Sequence, residues 1–427
     1  MLDRKLLEAL DRTLQLFRAS HQPFGGCAIV LAGDWRQCLP VSEGASPAKI
    51  INSCIISSPL WALFRVDKLA KNMRLLRDPH LSEADRARRL QYHEDILAIG
   101  DDLATNTENG EVSVPATTVS LLKLYDSVYG DLTAGNHPVD FWVHRCILTP
   151  VNADVTAIND SLLDQLPGDT RECFSEDVHL PMATVNDRDK LCGTECLDQL
   201  QPSGLPEHKL RLKVGTPVML LRNLNLALDQ CNGSRHVVRE MRPNSILLEN
   251  MSTQNPMWLF RVGLVPQDRR STPIQFKRTQ FPIRPCMAMT INKSQGQSFR
   301  HVGTYLPSPV FAHGQLYVAL SRSSNPANVY VCIGAPNAGE TCKTTTANMV
   351  CSAVLHTAHA SEPFPGCTTD LPTTNDPGSP MTTDHGSDYD ELQAAFEPMF
   401  DPALMELDSL FHDDDAEPAP SLEPHFQ

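Results

Sequence analysis

Apolar residues recur at helical spacing from the start of the chain. Leu2, Leu6, Leu10 and Leu14, with Leu7 and Phe17 beside them, predict an amphipathic core helix over residues 2–18. A continuous apolar run over 28–32 predicts a buried strand, which Gly33 and Asp34 break into a loop ending at Leu39 and Pro40. A short helix begins at Ser58, a charged helix spans 82–97, and the rest of 75–140 reads as a loose polar connection. Residues 142–150 then read as a strand, and Asn152 as the cap of a helix carrying Val155, Ile158, Leu162 and Leu166 at i, i+3, i+7 and i+11. From Lys213 the period changes to two. Four short strands, in GTPVMLL, SRHVVREM, SILLENM and WLFRVGLV, are separated by Asn-Gly, Arg-Pro-Asn and Thr-Gln-Asn-Pro turns, a pattern that suggests a small β-barrel.

The helical and extended pattern resumes near Pro285. The apolar run 286–289 leads into Asn292, Lys293, Ser294, Gln295 and Gly296, which read as a strand's carboxyl end opening a helix, a place that favours anions. A strand HVGTYL follows. FAHGQLYVALSR then predicts a helix with Leu316, Ala319 and Leu320 inward and Arg322 emerging at its end, and 328–333 is a last strand. Beyond about residue 336 the chain turns to Thr, Ser, Pro and Gly, the composition of a disordered segment.

Charge changes this picture only when it is located. The 427 residues carry a formal net charge of -15, yet 16 acidic residues and no Lys or Arg lie in 361–427. The first 360 residues are therefore nearly neutral, with basic clusters at 86–89 and 269–278, and a nucleic-acid partner stays open. The 13 cysteines are scattered; Cys27, Cys146 and Cys332 sit in apolar runs and read as small buried residues of a reducing compartment. Cys192 and Cys196 have zinc-like spacing without a second pair, so no metal is assigned. No apolar run reaches membrane-spanning length, and the first residues do not read as a signal peptide.

The stretch 290–322 resembles the last two motifs of superfamily-one DNA helicases, specifically the Pif-one-type family and its Helitron-encoded relatives. The resemblance continues in GGCAIVLAGDWRQCLPV, LAKNMR, LTPVNADVTAIND, VGTPVMLLRNLN with CNGSRHVV, and FKRTQFPI, and spans roughly residues 1–335. It implies an α/β fold with RecA-like parallel sheets of the P-loop NTPase type, a truncated first domain and an inserted SH3-like barrel. The expected division is 1–73, the end of the first RecA-like domain; 74–212 and 268–335, the second; 213–267, the barrel; and 336–427, a disordered acidic tail.

By the same resemblance the activity is ATP-dependent 5′–3′ DNA unwinding, in repair, recombination, telomere maintenance or transposition. Its cofactors are ATP and magnesium, its partner single-stranded or forked DNA, and its setting nuclear, or else cytoplasmic. Gln37, Arg74 and Arg322 would be catalytic, sensing the terminal phosphate, and Gly33, Asp34, Gln295 and Gly296 would join Gln37 and Arg322 around the nucleotide. Asn292, Lys293 and Ser294 would meet the DNA strand. A neutral amide such as Gln37 can bond a terminal phosphate or orient water, and an arginine can neutralise transition-state charge.

The chain contains no GxxxxGK[ST] loop. The family's Walker A loop and acidic Walker B strand would lie before Met1, and the reading frame upstream is expected to encode them. A chain without these groups is expected to be inactive alone. The alternatives are a non-enzymatic DNA-binding adaptor or a transposon-derived remnant. Residues 391–411, alternating acidic with bulky apolar side chains, suit a segment that folds onto a protein partner's groove or else a solvating tail, and oligomeric state is left open.

Overall fold

Five parallel strands organise the protein, in the order Ala288–Thr290, Arg145–Thr149, His301–Leu306, Val329–Ile333, Thr117–Thr118. Their near-continuous apolar sequence follows from burial on both faces. Cys146, Ile147 and Leu148 are all fully buried. The computed structural model describes residues 2–40, 46–69, 81–106, 108–130, 132–135, 137–180, 197–200, 202, 204–266, 275–334 and 342–359. The helices Leu121–Tyr129 and Asn152–Gln165 cover one face, and Glu83–Gly100 with Gln315–Leu320 cover the other. At Gly303 the first of these comes so close that an added Cβ would lie 2.9 Å from the Val128 side chain.

A second, antiparallel sheet has the order Pro256–Phe260, Ser245–Asn250, Arg235–Met241, Pro217–Leu220, Ile283–Pro285. One face forms its own core around Val218, Leu220, Val238, Leu248 and Phe281. The other face puts Val237 in one cluster with Ile147 of the central sheet and with Met287, just before its first strand. Among the described residues this ladder is open, with two unpaired edges, rather than the closed barrel that the turn pattern suggested, and it recruits residues 283–285 from beyond the expected boundary.

His236, in the middle of that sheet, is fully buried, with one ring nitrogen 3.0 Å from the Ser234 hydroxyl and the other without a partner among the described residues. Burial pushes its pKa down to about 4. An unfolded histidine titrates near 6.5, so between about pH 6.5 and about 4 the unfolded chain binds a proton that the folded chain refuses. Stability should accordingly be full above that window and fall as pH drops through it. The urea midpoint is expected to be lower at pH 5 than at pH 7, with a smaller drop in His236→Gln; an unchanged midpoint would remove His236 as a cause.

Other expectations are corrected by packing. The first helix, Arg4–Phe17, is capped by Asp3, which accepts from the Lys5 amide, but only Leu7 and Asp11 are buried. Leu6, Leu10 and Phe17 are exposed, because the contact surface is set by Leu7 and by Asp11, which accepts the Phe24 amide at 2.5 Å. Residues 28–32 form no ladder and Val30 is 93% exposed, because a parallel strand needs hydrogen-bonded neighbours and the described residues supply none there. Val151, not Asn152, caps the helix Asn152–Gln165; the Asn152 amide oxygen instead accepts from Arg284 at 3.3 Å.

The polar cluster after the first parallel strand makes one 3-10 turn, Ile291–Ser294, rather than a longer helix. Residues expected to be disordered beyond 336 include a strand, Thr345–Ala347, antiparallel to Glu111–Ser113, and a helix, Ser352–His359. Cys146 and Cys332 are buried as expected, whereas Cys27 is only half-buried. Cys192, Cys196 and residues 391–411 lie outside the described residues. No helix among the described residues is long and apolar enough to cross a membrane.

Candidate functional site

The loop after residue 33 and the stretch 290–322, about 250 positions apart in sequence, meet in one tightly fitted contact. Gly314, just before the helix Gln315–Leu320, has φ +72°, and an added Cβ would lie 2.2 Å from the Arg36 carbonyl oxygen and 2.8 Å from the Gln37 carbonyl carbon. Glycine is therefore required twice, for its left-handed backbone and for the close approach. The neighbouring His313 is buried and donates from Nε2 to the Trp35 carbonyl at 2.8 Å, while its Nδ1 accepts the Cys351 amide at 2.8 Å. Both bonds need the neutral ring, and burial holds the His313 pKa below the usual histidine value.

Side chains complete the contact. The Tyr317 hydroxyl donates to Asp34 at 2.7 Å, and burial followed by the Asp34 charge raises its pKa, so it remains a neutral donor. Arg36 holds Asp101 through two parallel bonds of 2.8 and 2.9 Å and stands 3.6 Å from Asp34. The Gln37 amide touches Asp34 only weakly, at 3.5 Å, which leaves it capable of another partner. Gly33 is exposed in the same loop.

Arg322 does not emerge into solvent. It is 8% exposed, and its guanidinium donates to the carbonyls of Val318 at 2.9 Å, Gln297 at 3.0 Å and Ser294 at 3.3 Å and to the Ser321 hydroxyl at 2.8 Å. Its charge is felt by the loop at 34–38: burial pushes the Cys38 thiol up to about 11, and Arg322 acts against that rise. Asn292 accepts from Gln315 at 3.1 Å and from the Cys38 thiol at 3.7 Å, and the Gln295 amide reaches the Cys38 carbonyl at 3.5 Å. The structure thus brings Asn292 and Gln295 against Cys38, with the Arg322 charge acting on its thiol, while Asp34 and Gln37 meet in the adjoining loop. Gly296 is exposed with φ +78°. Arg74 lies outside the described residues.

The three residues expected at a strand diverge. The Ser294 hydroxyl is buried and donates to its own turn, at Ile291, 2.7 Å away, and Asn292 faces the loop contact. Lys293 remains a half-buried cation beside Arg284; burial first, then that like charge, pushes its pKa down to about 8. Lys293, Arg284 and Asn152 mark a basic position at the carboxyl end of the parallel strands.

Sequence reasoning missed Arg36, Asp101, His313, Gly314 and Tyr317. Four of them lie inside quoted motifs, and their signal was a Gly-Asp turn and a glycine opening a helix; Asp101 had none. Arg278, counted among the basic clusters, is instead fully buried, with three donations to Asp177 at 2.7 to 3.1 Å and further ones to the carbonyls of Leu197, Leu200 and Pro206. Asp177 also falls within 4.8 Å of ligand atoms of Asp198 and His208, but Arg278 already occupies both its oxygens, so the group serves as a structural knot.

Comparison with known proteins points to helicases of one type. The family described as PIF1-like helicase matches residues 1–110, and that described as DNA helicase Pif1, 2B domain, matches 195–241. The ATP-dependent DNA helicases PIF1 of Danio rerio and Homo sapiens are each 27% identical to this chain over 331 and 335 residues, 76% of this chain in both cases. The chain spans 43% of the length of each of these relatives. Among solved structures, a Pif1 helicase from Bacteroides in complex with ADP-AlF3 and ssDNA superposes with a TM-score of 0.55 at 19% identity, over 84% of this chain and 73% of that one. A Bacteroides Pif1 bound to ssDNA gives 0.51 at 21% identity, over 78% and 68%. The fold is the RecA-like helicase fold, and in sequence the chain is similar to Pif1-type superfamily-one helicases.

Proposed function

We propose that this chain is the carboxyl-terminal part of an ATP-driven motor that moves 5′ to 3′ along single-stranded DNA and unwinds forked duplex, working in the nucleus. The observation that carries the reading is the seating of the 34–38 loop on the helix that ends at Arg322, through Gly314, His313 and Tyr317. It supports this reading because the loop that carries the neutral amide Gln37 rests on the helix that ends at Arg322, and an amide and an arginine are groups suited to sensing a terminal phosphate. Residues 1–73 belong to the first RecA-like domain, 74–212 and 268–335 to the second, and 213–267 to an inserted domain whose open antiparallel ladder helps grip the strand.

The chain's own residues do not make a complete site for ATP and magnesium. Gln37 and Arg322 are the groups offered here for sensing a terminal phosphate, and the sequence holds no GxxxxGK[ST] loop to cradle the phosphates. Sensing, rather than phosphoryl transfer, is the part these residues can play. Arg74, Gln37 and Arg322 retain that role, while Gly33, Asp34, Gln295 and Gly296 shape the loop and turn beside it. Lys293 meets the strand's phosphates without reading its bases, and Asn292 and Ser294 hold the turn that presents it.

The basic position formed by Lys293 and Arg284 also fits a second reading, a DNA-binding adaptor without enzymatic turnover. One experiment separates the readings. The purified chain should bind a labelled single strand with an affinity that falls steeply with salt, as counterion release requires, and hydrolyse ATP no faster than background. Removing residues 361–427, with their 16 acidic residues, should tighten binding by relieving competition for the basic surface. DNA-stimulated hydrolysis that disappears in Arg322→Ala would exclude the adaptor; salt-independent binding would exclude the electrostatic contact.

A further inference from the structure

The second sheet carries an exposed aromatic ridge that the site described above does not use. Pro256–Phe260 is an outer strand of the ladder; its Leu259 is buried at 2% exposure, while Trp258 and Phe260 on the opposite face are 37% and 60% exposed. Exposed aromatic surface on an edge strand that no other described strand pairs with invites association with a partner. The Arg242 guanidinium lies 4.2 Å over the Trp258 ring and is steadied by Glu240 at 2.7 Å.

Register fixes where this ridge looks. Side chains directly opposed in an antiparallel ladder share a face. Pro256 opposes Glu249, which opposes Val237, and Val237 packs on the central sheet, so Trp258 and Phe260 project from the face turned toward that sheet. At the far edge of the same ladder stands Arg284, beside Lys293. The cations near this ridge are Arg242 over the Trp258 ring and, at the far edge, Arg284 and Lys293, which suit a polyanion; Arg235 instead turns inward onto the Trp142 and Val143 carbonyls, and Arg239 pairs with Glu249.

We propose that Trp258 and Phe260 form a stacking platform for unpaired bases of a single strand whose phosphates continue toward Arg284 and Lys293. The inference rests on the nucleic-acid reading above and adds the means by which bases, rather than phosphates, are held. Every base has a flat π face, so aromatic stacking tolerates any sequence, as a moving motor needs, and the arginine over Trp258 strengthens the site.

Fluorescence anisotropy of a labelled oligothymidine on the full chain, taken across a salt series, tests it. Trp258→Ala is expected to weaken binding about tenfold at every salt concentration with the slope unchanged, since stacking releases no counterion, and Phe260→Ala should act alike. Trp258→Phe should restore most of the affinity, which a general folding defect would not allow. Lys293→Ala should instead lower the salt slope by about 1. Tight wild-type binding that Trp258→Ala and Phe260→Ala leave unchanged overturns the platform while the nucleic-acid reading stands. No wild-type binding at any salt overturns both. Unchanged DNA affinity together with a shift from dimer to monomer in Trp258→Ala would assign the ridge to self-association and also overturn the platform.

Discussion

Arg278→Ala is expected to cost the protein about 3–5 kcal/mol of folding stability, the penalty for breaking a buried ion pair by removing one partner. Both members are hidden, with side chains 0% and 1% exposed. Without the guanidinium, the Asp177 carboxylate would keep only the Ser175 hydroxyl at 2.7 Å, and the carbonyls of Leu197, Leu200 and Pro206 would lose their donor. Urea unfolding followed by circular dichroism measures the loss. Replacing the pair together, Asp177→Leu with Arg278→Met, should recover much of it, because two apolar side chains of similar size need no partners. A loss below about 1 kcal/mol in Arg278→Ala would show that water reaches the pair after unfolding of the local loop.

Gly314→Val should be nearly as damaging, at about 2–4 kcal/mol, from the strain of a β-branched residue at positive φ added to overpacking. The Cβ atom would sit 2.2 Å from a backbone oxygen, so no rotamer change relieves the clash and the 34–38 loop must lift from the helix. Lifting breaks the His313 bond to Trp35 and the Tyr317 bond to Asp34, and it frees Trp35 from its edge contact with Trp61, whose ring centroid lies 5.6 Å away. Tryptophan emission should therefore shift together with stability. Equal stability and unchanged emission in Gly314→Val would mean that the loop is not seated as described.

These two sites show different degrees of legibility. Gly314 stands within a motif that the sequence presents openly, a glycine before an apolar helix, and the loop at 33–38 announces itself by its turn residues. Their mutual fit was still invisible, since nothing local says that Gly314 meets the Arg36 carbonyl. Arg278 was misread outright: basic neighbours at 269, 270 and 277 suggested a charged surface, and only the arrival of Asp177 from 101 positions away explains its burial.

By itself the sequence determined the alternation of parallel strands and helices, the period-two block of the second sheet, the collinear family motifs and the segregation of acid into the tail. Those properties are written in local spacing, which sets which face of each element is apolar. Tertiary structure alone decided which apolar faces find cover. It left Leu6, Leu10 and Val30 exposed, buried Arg322 and Ser294 instead of presenting them, opened the expected barrel into a ladder with an aromatic edge, and folded residues 345–347 and 352–359 out of a stretch that composition assigned to disorder. The physical reason is common to all of them: burial and hydrogen-bond pairing depend on partners far away in sequence, and propensity yields wherever such a partner arrives or is lacking.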